Sequence, residues 1–502
     1  MRKLLSVGLW WLIILILLLV ISGIAYAIVD LLAPKSYFVS RRILRDYREA
    51  GIPEPVLKTL EADYGQEFPS VDAFRAGMQR LLGEETFARH ADTLVALAGT
   101  NHCRATTHPR RSYQISSSQG HPLYDSIRTQ PVLTREQVPL VPTNLVRLPG
   151  QAGWLVLGQR GGLFHYGPDF APRWQAQIPG VFELSGDQGA LGLVADPDFA
   201  SNRFVYVSFV DTPGKVNIVQ RFTMSHEPAA VVQSLVDVIR FPKDDRSHYH
   251  GIAGMMFDRD GALLITVGDP TDHAQRAFQP EGKLLRLLPR HGPQGGYALP
   301  HYGPAEWLRL VLTGGNPLYV AMGLRAPFTA TPWQGRFIIG DVGGNGPYSW
   351  EKINLYERPG QNFAWGACSN PDLMGSDVPP IIAYRRGDPA AAEDMPPVPR
   401  AGPGAGQAPP GDIDARTVVV GLVYPEGGAD PYGDALDGRL LYGDFYMGFV
   451  RGARLAPDGH VLDDVYLLRE NFITGMTLGD DGYIYATTAV GEFGVLRLIP
   501  RP

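Results

Sequence analysis

The sequence predicts an all-β fold, a six-bladed β-propeller preceded by an N-terminal transmembrane helix and a small helical segment. Three observations carry that reading. From Gly153 onward one strand type recurs six times, a small turn residue followed by an aromatic or aliphatic run. Gly and Pro are abundant, at 58 and 43 of 502 residues, as a turn-rich β protein requires. Hydrophobic residues make up 45% and charged ones only 19%, so the chain can bury a large core.

The first element, residues 1–34, holds an uncharged run of 26 residues from Leu4 to Val29. At about 1.5 Å per helical residue the run reaches about 39 Å, enough to cross a hydrocarbon core of roughly 30 Å with some tilt. Met1-Arg-Lys and the small-residue triplet Ala25-Tyr-Ala27 also fit a cleaved signal peptide, but the apolar run is longer than such peptides need. An uncleaved anchor is the favoured reading. Lys35, Arg41, Arg42, Arg45 and Arg48 follow the span, which argues for a cytoplasmic C-terminal side.

Residues 35–130 form the second element. Apolar residues recur at helical spacing over 40–50, 55–64, 71–82 and 84–98, and Gly51, Gly65, Gly83 and Gly99 stand where those helices would stop. No catalytic constellation appears there, so the segment reads as a spacer or packing element.

Residues 131–502 form the third. The six copies are Gly153-Trp-Leu-Val-Leu, Asn202-Arg-Phe-Val-Tyr-Val, Gly261-Ala-Leu-Leu-Ile-Thr-Val-Gly-Asp, Gly335-Arg-Phe-Ile-Ile-Gly-Asp, Gly438-Arg-Leu-Leu-Tyr-Gly-Asp and Gly482-Tyr-Ile-Tyr-Ala-Thr. One strand type repeated six times suggests six small sheets that bury their faces against their neighbours. The copies start 49, 59, 74, 103 and 44 residues apart, so insertions of different size decorate the blades. The widest gap contains a Pro/Gly/Ala-rich loop at 386–412 whose composition cannot bury a core. Function in such a fold belongs to the loops at the channel mouth.

Charge and cysteine content narrow the function further. A net charge of -6 leaves no basic stripe for a phosphate backbone, which argues against nucleic-acid binding. Cys103 and Cys368 are the only cysteines, too few for a thiolate metal cluster, and they read either as one disulfide or as two unrelated thiols.

The most informative stretch runs from His248 to Asp269. Asp258-Arg-Asp-Gly261 is a turn signal, Ala262 to Val267 a buried strand, and Gly268-Asp269 closes it, so His250 belongs to the loop or strand end before a hairpin. This stretch resembles the "His, small residues, turn, strand, Gly-Asp" element of the glucose/sorbosone dehydrogenase family. Those enzymes are six-bladed quinoproteins that use pyrroloquinoline quinone (PQQ) and calcium. Further motifs agree in order: Gly186-Asp-Gln-Gly-Ala-Leu-Gly192, Gly282-Lys-Leu-Leu-Arg286, Gly323-Leu-Arg-Ala-Pro327, Gly340-Asp-Val-Gly-Gly344, Glu351-Lys-Ile-Asn354 and Gly360-Gln-Asn-Phe-Ala-Trp-Gly366. The ordered set covers roughly residues 140 to 500.

The resemblance implies oxidation of an aldose or a related sugar or alcohol by hydride transfer to PQQ, with His250 as general base, Arg325 as quinone polariser and an external electron acceptor. It also implies cofactor contacts from Asp187, Gln188 and Gln275, and calcium on the backbone carbonyls of Gly343 and Gly344. It places the propeller outside the cytoplasmic membrane. Each residue also has a plainer role open to it: a surface histidine, a blade-to-blade ion pair for Arg325, tight-turn glycines, and a turn side chain at position 187 or 188.

The chain also departs from the family pattern. Gly254 stands where the family has an arginine, Tyr249 where it has an acid, and Ala326 where it has an asparagine. The two arginines that grip the cofactor's carboxylates fall on Phe472 and Thr474, with Arg469 or Arg451 as substitutes. Those losses favour an alternative, a non-catalytic propeller that binds a glycan or a protein partner. A calcium-dependent hydrolase would need converging acidic and asparagine side chains, and the sequence shows no clear set.

Overall fold

The structure is a computed structural model that describes residues 36–62, 65–101, 111–181, 188–211, 215–243, 249–270, 273–313, 315–344, 349–366, 379–385, 416–427 and 430–502. The apolar run at 4–29, Asp187, both cysteines and the 386–412 loop lie outside the described residues. Among the described residues no helix is long and apolar enough to cross a membrane. The chain divides into two compact units between Thr106 and Thr107.

Among its described residues the first unit holds four helices, Arg41–Glu49, Glu54–Ala62, Val71–Leu82 and Glu84–Leu97, close to the spans that the periodicity predicts. Ser40 and Ser70 cap two of them, each side chain accepting a backbone N–H of the first turn. The strand Ser36–Phe38 pairs with Glu67–Phe68 on one side and Gly99–Asn101 on the other. Tyr47, Leu57, Leu60, Phe74 and Leu94 fill the core, and the Tyr47 hydroxyl donates to Leu94 O at 2.6 Å. Gly77 is required where the helix crosses Phe68, because a Cβ there would lie 2.2 Å from the ring.

The second unit is the propeller. Its inner strands are Pro142–Leu148, Ala190–Ala195, Ile252–Phe257, Pro327–Trp333, Val418–Val423 and Ile473–Leu478, one to each of six sheets that are antiparallel apart from one parallel outer pairing in each of the third and fourth. Each inner strand packs against the inner strands of both neighbouring sheets, so the ring closes. The six sequence copies are the second strands of the six blades: Gly153–Gly158, Phe204–Val210, Leu263–Val267, Arg336–Asp341, Arg439–Asp444 and Ile484–Thr488. Ile127–Thr134 completes the sixth blade by pairing with the C-terminal strand Phe493–Pro500. Tyr113–Gln114 adds to the fourth blade alongside Ile382–Arg385. Residues 113–130, placed with the helical segment by the sequence reading, therefore contribute strands to the propeller.

Hydroxyl groups tie the blades together. Thr143 donates to Ala190 O, Ser208 to Ala253 O, Thr266 to Pro327 O and Thr474 to Pro142 O, at 2.7–3.1 Å, each across a blade boundary. Five inner strands carry a register shift at their start, between Pro142/Asn144, Ala190/Gly192, Ile252/Met255, Pro327/Thr329 and Ile473/Gly475, and the sixth carries one towards its end, between Val420/Val423. Bulges of this kind bend a strand and re-aim what precedes it.

Candidate active site

Because adjacent strands are antiparallel, the start of each inner strand and the end of each second strand lie at the same end of the propeller. Gln188, His250 and Arg325 each stand two residues before an inner strand, whereas Gln275, Gly343 and Gly344 follow second strands. The fold thus gathers these predicted site residues at one end, and Asp187 alone lies outside the described residues.

The repeated Gly-Asp that closes three of the second strands fastens these loops. Asp269, Asp341 and Asp444 are all buried. Asp269 accepts the N–H groups of His273 and Ala274 at 3.0 and 2.9 Å. Asp341 Oδ1 accepts those of Arg325 and Ala326, both at 2.9 Å. Asp444 accepts those of Tyr446, Met447 and Thr417 at 2.8–3.0 Å, and the Tyr384 hydroxyl at 2.7 Å. Burial raises the Asp444 pKa and those hydrogen bonds oppose the rise. Each carboxylate satisfies backbone donors that the loops would otherwise bury unpaired.

His250 sits at φ +63°, the left-handed region that non-glycine residues rarely occupy. Two hydrogen bonds hold the backbone on its C-terminal side: Gly268 N donates to Gly251 O at 3.1 Å, and Ile252 N donates to Asn217 Oδ1 at 2.9 Å. A Cβ on Gly268 would stand 2.8 Å from the His250 Cβ, so that glycine makes room for the imidazole. The next residue, Asp269, donates its N–H to Arg325 O at 2.6 Å. Gly268-Asp269 therefore bridges the two residues that the sequence singled out for chemistry.

Arg325 is buried, and its guanidinium donates to Val342 O at 3.2 Å and lies 5.4 Å from the Trp365 ring. Lys352, also buried, places Nζ 5.7 Å from the same ring and 3.4 Å from Asp341 Oδ2. The Trp365 indole nitrogen is buried without a hydrogen-bond partner. Two fixed cations and an indole donor thus gather at one place, a donor set that suits a polyanionic, planar ligand. Sequence reasoning missed Lys352 and Trp365, although both stand inside quoted motifs.

Gln275 braces this cluster. Its amide nitrogen donates to Trp365 O at 2.6 Å and to Asn362 Oδ1 at 3.1 Å, and its oxygen accepts from Asn362 at 2.8 Å. Lys283, fully buried, donates to Ala274 O and Glu281 O at 2.8 Å and to His273 O at 3.4 Å. Burial lowers its pKa to about 8, against the opposing pull of Asp269 and Glu281. Asp269 and Lys283 thereby hold the same turn, one by its N–H groups and the other by its carbonyls.

Gly343 N donates to Glu351 Oε1 at 3.2 Å, and Glu351 Oε2 accepts Val418 N at 3.2 Å, which locks the loop to the next blade. A Cβ at Gly343 would meet Trp350 O at 2.1 Å. Gln188 is buried, and its carbonyl accepts from Gln159 of the first blade at 2.8 Å.

The two positions expected to have lost arginines serve the fold. Thr474 donates across the sixth-to-first blade boundary, and Phe472 packs edge-on against Phe445 at 5.3 Å. Arg451, offered above as a substitute, is buried, with its guanidinium on Asp464 at 2.8 Å and Ser116 O at 3.0 Å. Arg469 ends the outer strand of the fifth blade, at the same end as the site.

Comparison with known proteins agrees with this architecture. The profile of the Glucose / Sorbosone dehydrogenase family matches residues 141–377. Aldose sugar dehydrogenase YliI of Escherichia coli (strain K12) is 24% identical over 372 residues, which is 72% of this chain and 90% of that protein. A crystal structure of glucose dehydrogenase superposes with a TM-score of 0.54 at 22% identity, over 75% of this chain and 100% of that one. The PQQ-bound aldose sugar dehydrogenase of Streptomyces coelicolor gives 0.54 at 17% identity, over 76% and 99%. The six-bladed ring and the ordered motifs agree with that profile, which marks a Glucose / Sorbosone dehydrogenase domain over residues 141–377.

Proposed function

We propose that the chain is a PQQ-dependent dehydrogenase of an aldose or a related sugar or alcohol. The observation that carries this reading is the joining of His250 to the Arg325, Lys352 and Trp365 cluster through Gly268-Asp269. PQQ, when bound, accepts a hydride from the substrate carbon. His250 takes the proton of the hydroxyl on that carbon, and its pinned backbone aims the imidazole before substrate arrives. Arg325 and Lys352 supply positive charge for the cofactor's carboxylates and for the oxygen that becomes anionic on reduction. Gln188 and, beyond the described residues, Asp187 are the further cofactor contacts proposed, with Gln275 acting through Trp365. Calcium would take the carbonyls of Gly343 and Gly344, whose loop Glu351 fixes.

This reading would also require an external electron acceptor as a partner. The apolar run at 4–29 would anchor the chain in a membrane, with the propeller on its extracytoplasmic side.

The test is dye-linked oxidation of a panel of aldoses by the full chain, reconstituted with PQQ and calcium. Activity that requires both additions and is lost in His250→Asn supports the reading. The structural roles of Phe472, Thr474 and Arg451 favour a second reading, a propeller that binds a glycan or protein partner without chemistry. Absence of PQQ binding in a fluorescence titration would favour it.

A further inference from the structure

Nine large apolar side chains stand exposed among the described residues, and five of them fall between positions 299 and 312. Leu299 is 52% exposed, Trp307 51%, Leu308 52%, Val311 47% and Leu312 65%. Four of these lie on one nine-residue helix, Pro304–Leu312. The helix belongs to the connection between Lys283–Pro289 and Tyr319–Met322. That connection leaves the third blade at the end away from the candidate site, because Lys283 pairs with Val267 and Met322.

The fold holds this helix without using its apolar outer face. Pro304 opens its first turn, and Glu306 accepts the Gly303 N–H at 3.1 Å. Leu310 is fully buried in the cluster that includes Tyr302, Val320 and Phe363. Gly315 N closes the C-terminal end on Leu310 O at 2.8 Å. Trp307, Leu308, Val311 and Leu312 thus expose apolar surface that folding does not require, and clustered exposure of this kind marks a contact surface.

We propose that helix Pro304–Leu312, with Leu299, is an interfacial membrane contact that lays the propeller on a lipid surface. This rests on the anchor reading of residues 4–29 and goes beyond it by naming the propeller surface that meets the bilayer. Tryptophan and leucine side by side on a short helix suit the headgroup boundary, where an indole keeps its N–H wet and its ring in acyl chains. A patch this small binds lipid weakly by itself, but an anchor at 4–29 of the same chain would raise its effective concentration at the bilayer.

The test uses the full chain with Cys103→Ser and Cys368→Ser, inserted into vesicles of phosphatidylethanolamine and phosphatidylglycerol. Single nitroxide labels are placed at Leu308→Cys, Leu312→Cys and, as a control, Leu140→Cys, an exposed leucine at the opposite, candidate-site end of the propeller. Flotation with the vesicles reports the anchor, and collision with oxygen or with a water-soluble nickel chelate reports each label's surroundings. Labels at 308 and 312 that meet oxygen but are several-fold shielded from nickel, with 140 open to nickel, support the proposal. Labels at 308 and 312 as open to nickel as 140 overturn it while leaving the anchor intact. Shielding from both reagents means cover by protein, such as a second copy, and also overturns it. A chain that does not float refutes the anchor and the proposal with it.

Discussion

Asp341 and Lys352 face each other across the second and third strands of the fourth blade, with Oδ2 3.4 Å from Nζ and both side chains buried. The same carboxylate uses its other oxygen to hold the backbone of Arg325 and Ala326. One acid therefore fixes both cations of the candidate site, Lys352 through its charge and Arg325 through its main chain.

Removing that acid leaves a buried ammonium without its carboxylate. Asp341→Asn should lower unfolding stability by about 3–5 kcal/mol, the usual cost of breaking one side of a buried pair. Adding Lys352→Met should recover part of that loss, since the stranded charge goes with it. Urea unfolding of the single and double variants measures both effects. Equal stability of Asp341→Asn and the unaltered chain would show that the pair carries no such weight.

Lys283 gives the fold a pH dependence whose sign follows from its surroundings. Burial lowers its pKa from 10.5 to about 8. Between those values the unfolded chain holds the proton and the folded one does not, so unfolding takes up a proton and stability rises with pH across that window. Below about 8 both states are protonated and the desolvation cost is felt in full. Relative to Lys283→Met, the chain should gain about 1–3 kcal/mol as pH rises from about 7 to about 10. Local order should change the opposite way, because a neutral amine has two N–H donors for three carbonyls. Amide protection factors at 273–275, which correct for base-catalysed intrinsic exchange, should therefore fall over the same range, and a pH-independent stability difference between the two chains would refute the assignment.

The second strands were legible in sequence because each lies between two strands of its own sheet while both its faces meet neighbouring blades. All six are buried nearly throughout, and so they read as continuous apolar runs ending in a turn. The outer strands lack that signal. Pro172–Gln177 alternates exposed and half-buried positions, and Ile127–Thr134 is exposed at several positions, which is why the propeller's beginning was placed too late in the chain. At the candidate site, motif spacing proposes His250 and Arg325. It does not single out Lys352 and Trp365, because a lysine in a strand and a tryptophan in a loop gain meaning only once folding sets them around one ring. The loss of Arg451 as a cofactor partner was equally hidden, since Asp464 reaches it only through strand pairing.

His250 should tolerate asparagine far better than alanine in its left-handed conformation, since asparagine accepts that region readily. His250→Asn should melt with the unaltered chain yet lose about 10²–10⁴-fold in turnover, the usual contribution of a general base. Steady-state rates beside thermal melts make the comparison. Retained turnover in a well-folded variant would remove His250 from the chemistry.

Gly268→Ala tests the same imidazole from the other side. Its Cβ would stand 2.8 Å from that of His250, inside normal contact, while the loop's hydrogen bonds stay available. A displacement on that scale should cost on the order of 10²-fold in kcat with a small change in melting temperature. Loss of stability matching the loss of rate would mean that the glycine serves the fold and not the site.

The ring closes through the pairing of Ile127–Thr134 with the C-terminal strand, and Arg135 reinforces that seam. Its guanidinium donates to Thr488 O at 2.9 Å, Phe493 O at 2.8 Å and Gly491 O at 3.2 Å. Ile127 and Leu133 are buried beneath the strand. A chain beginning at residue 136 would lose all of this at once: the sixth blade keeps three strands, Phe493–Pro500 becomes an open edge, and apolar surface beneath it meets water. Open, apolar edges pair with other chains. That chain should therefore aggregate or melt without a cooperative transition. A chain beginning at residue 107, which keeps the closing strand and Tyr113–Gln114, should stay monodisperse and melt cooperatively. Size-exclusion chromatography with circular dichroism melts separates the outcomes, and equal behaviour of the two chains would show that the ring does not depend on this seam.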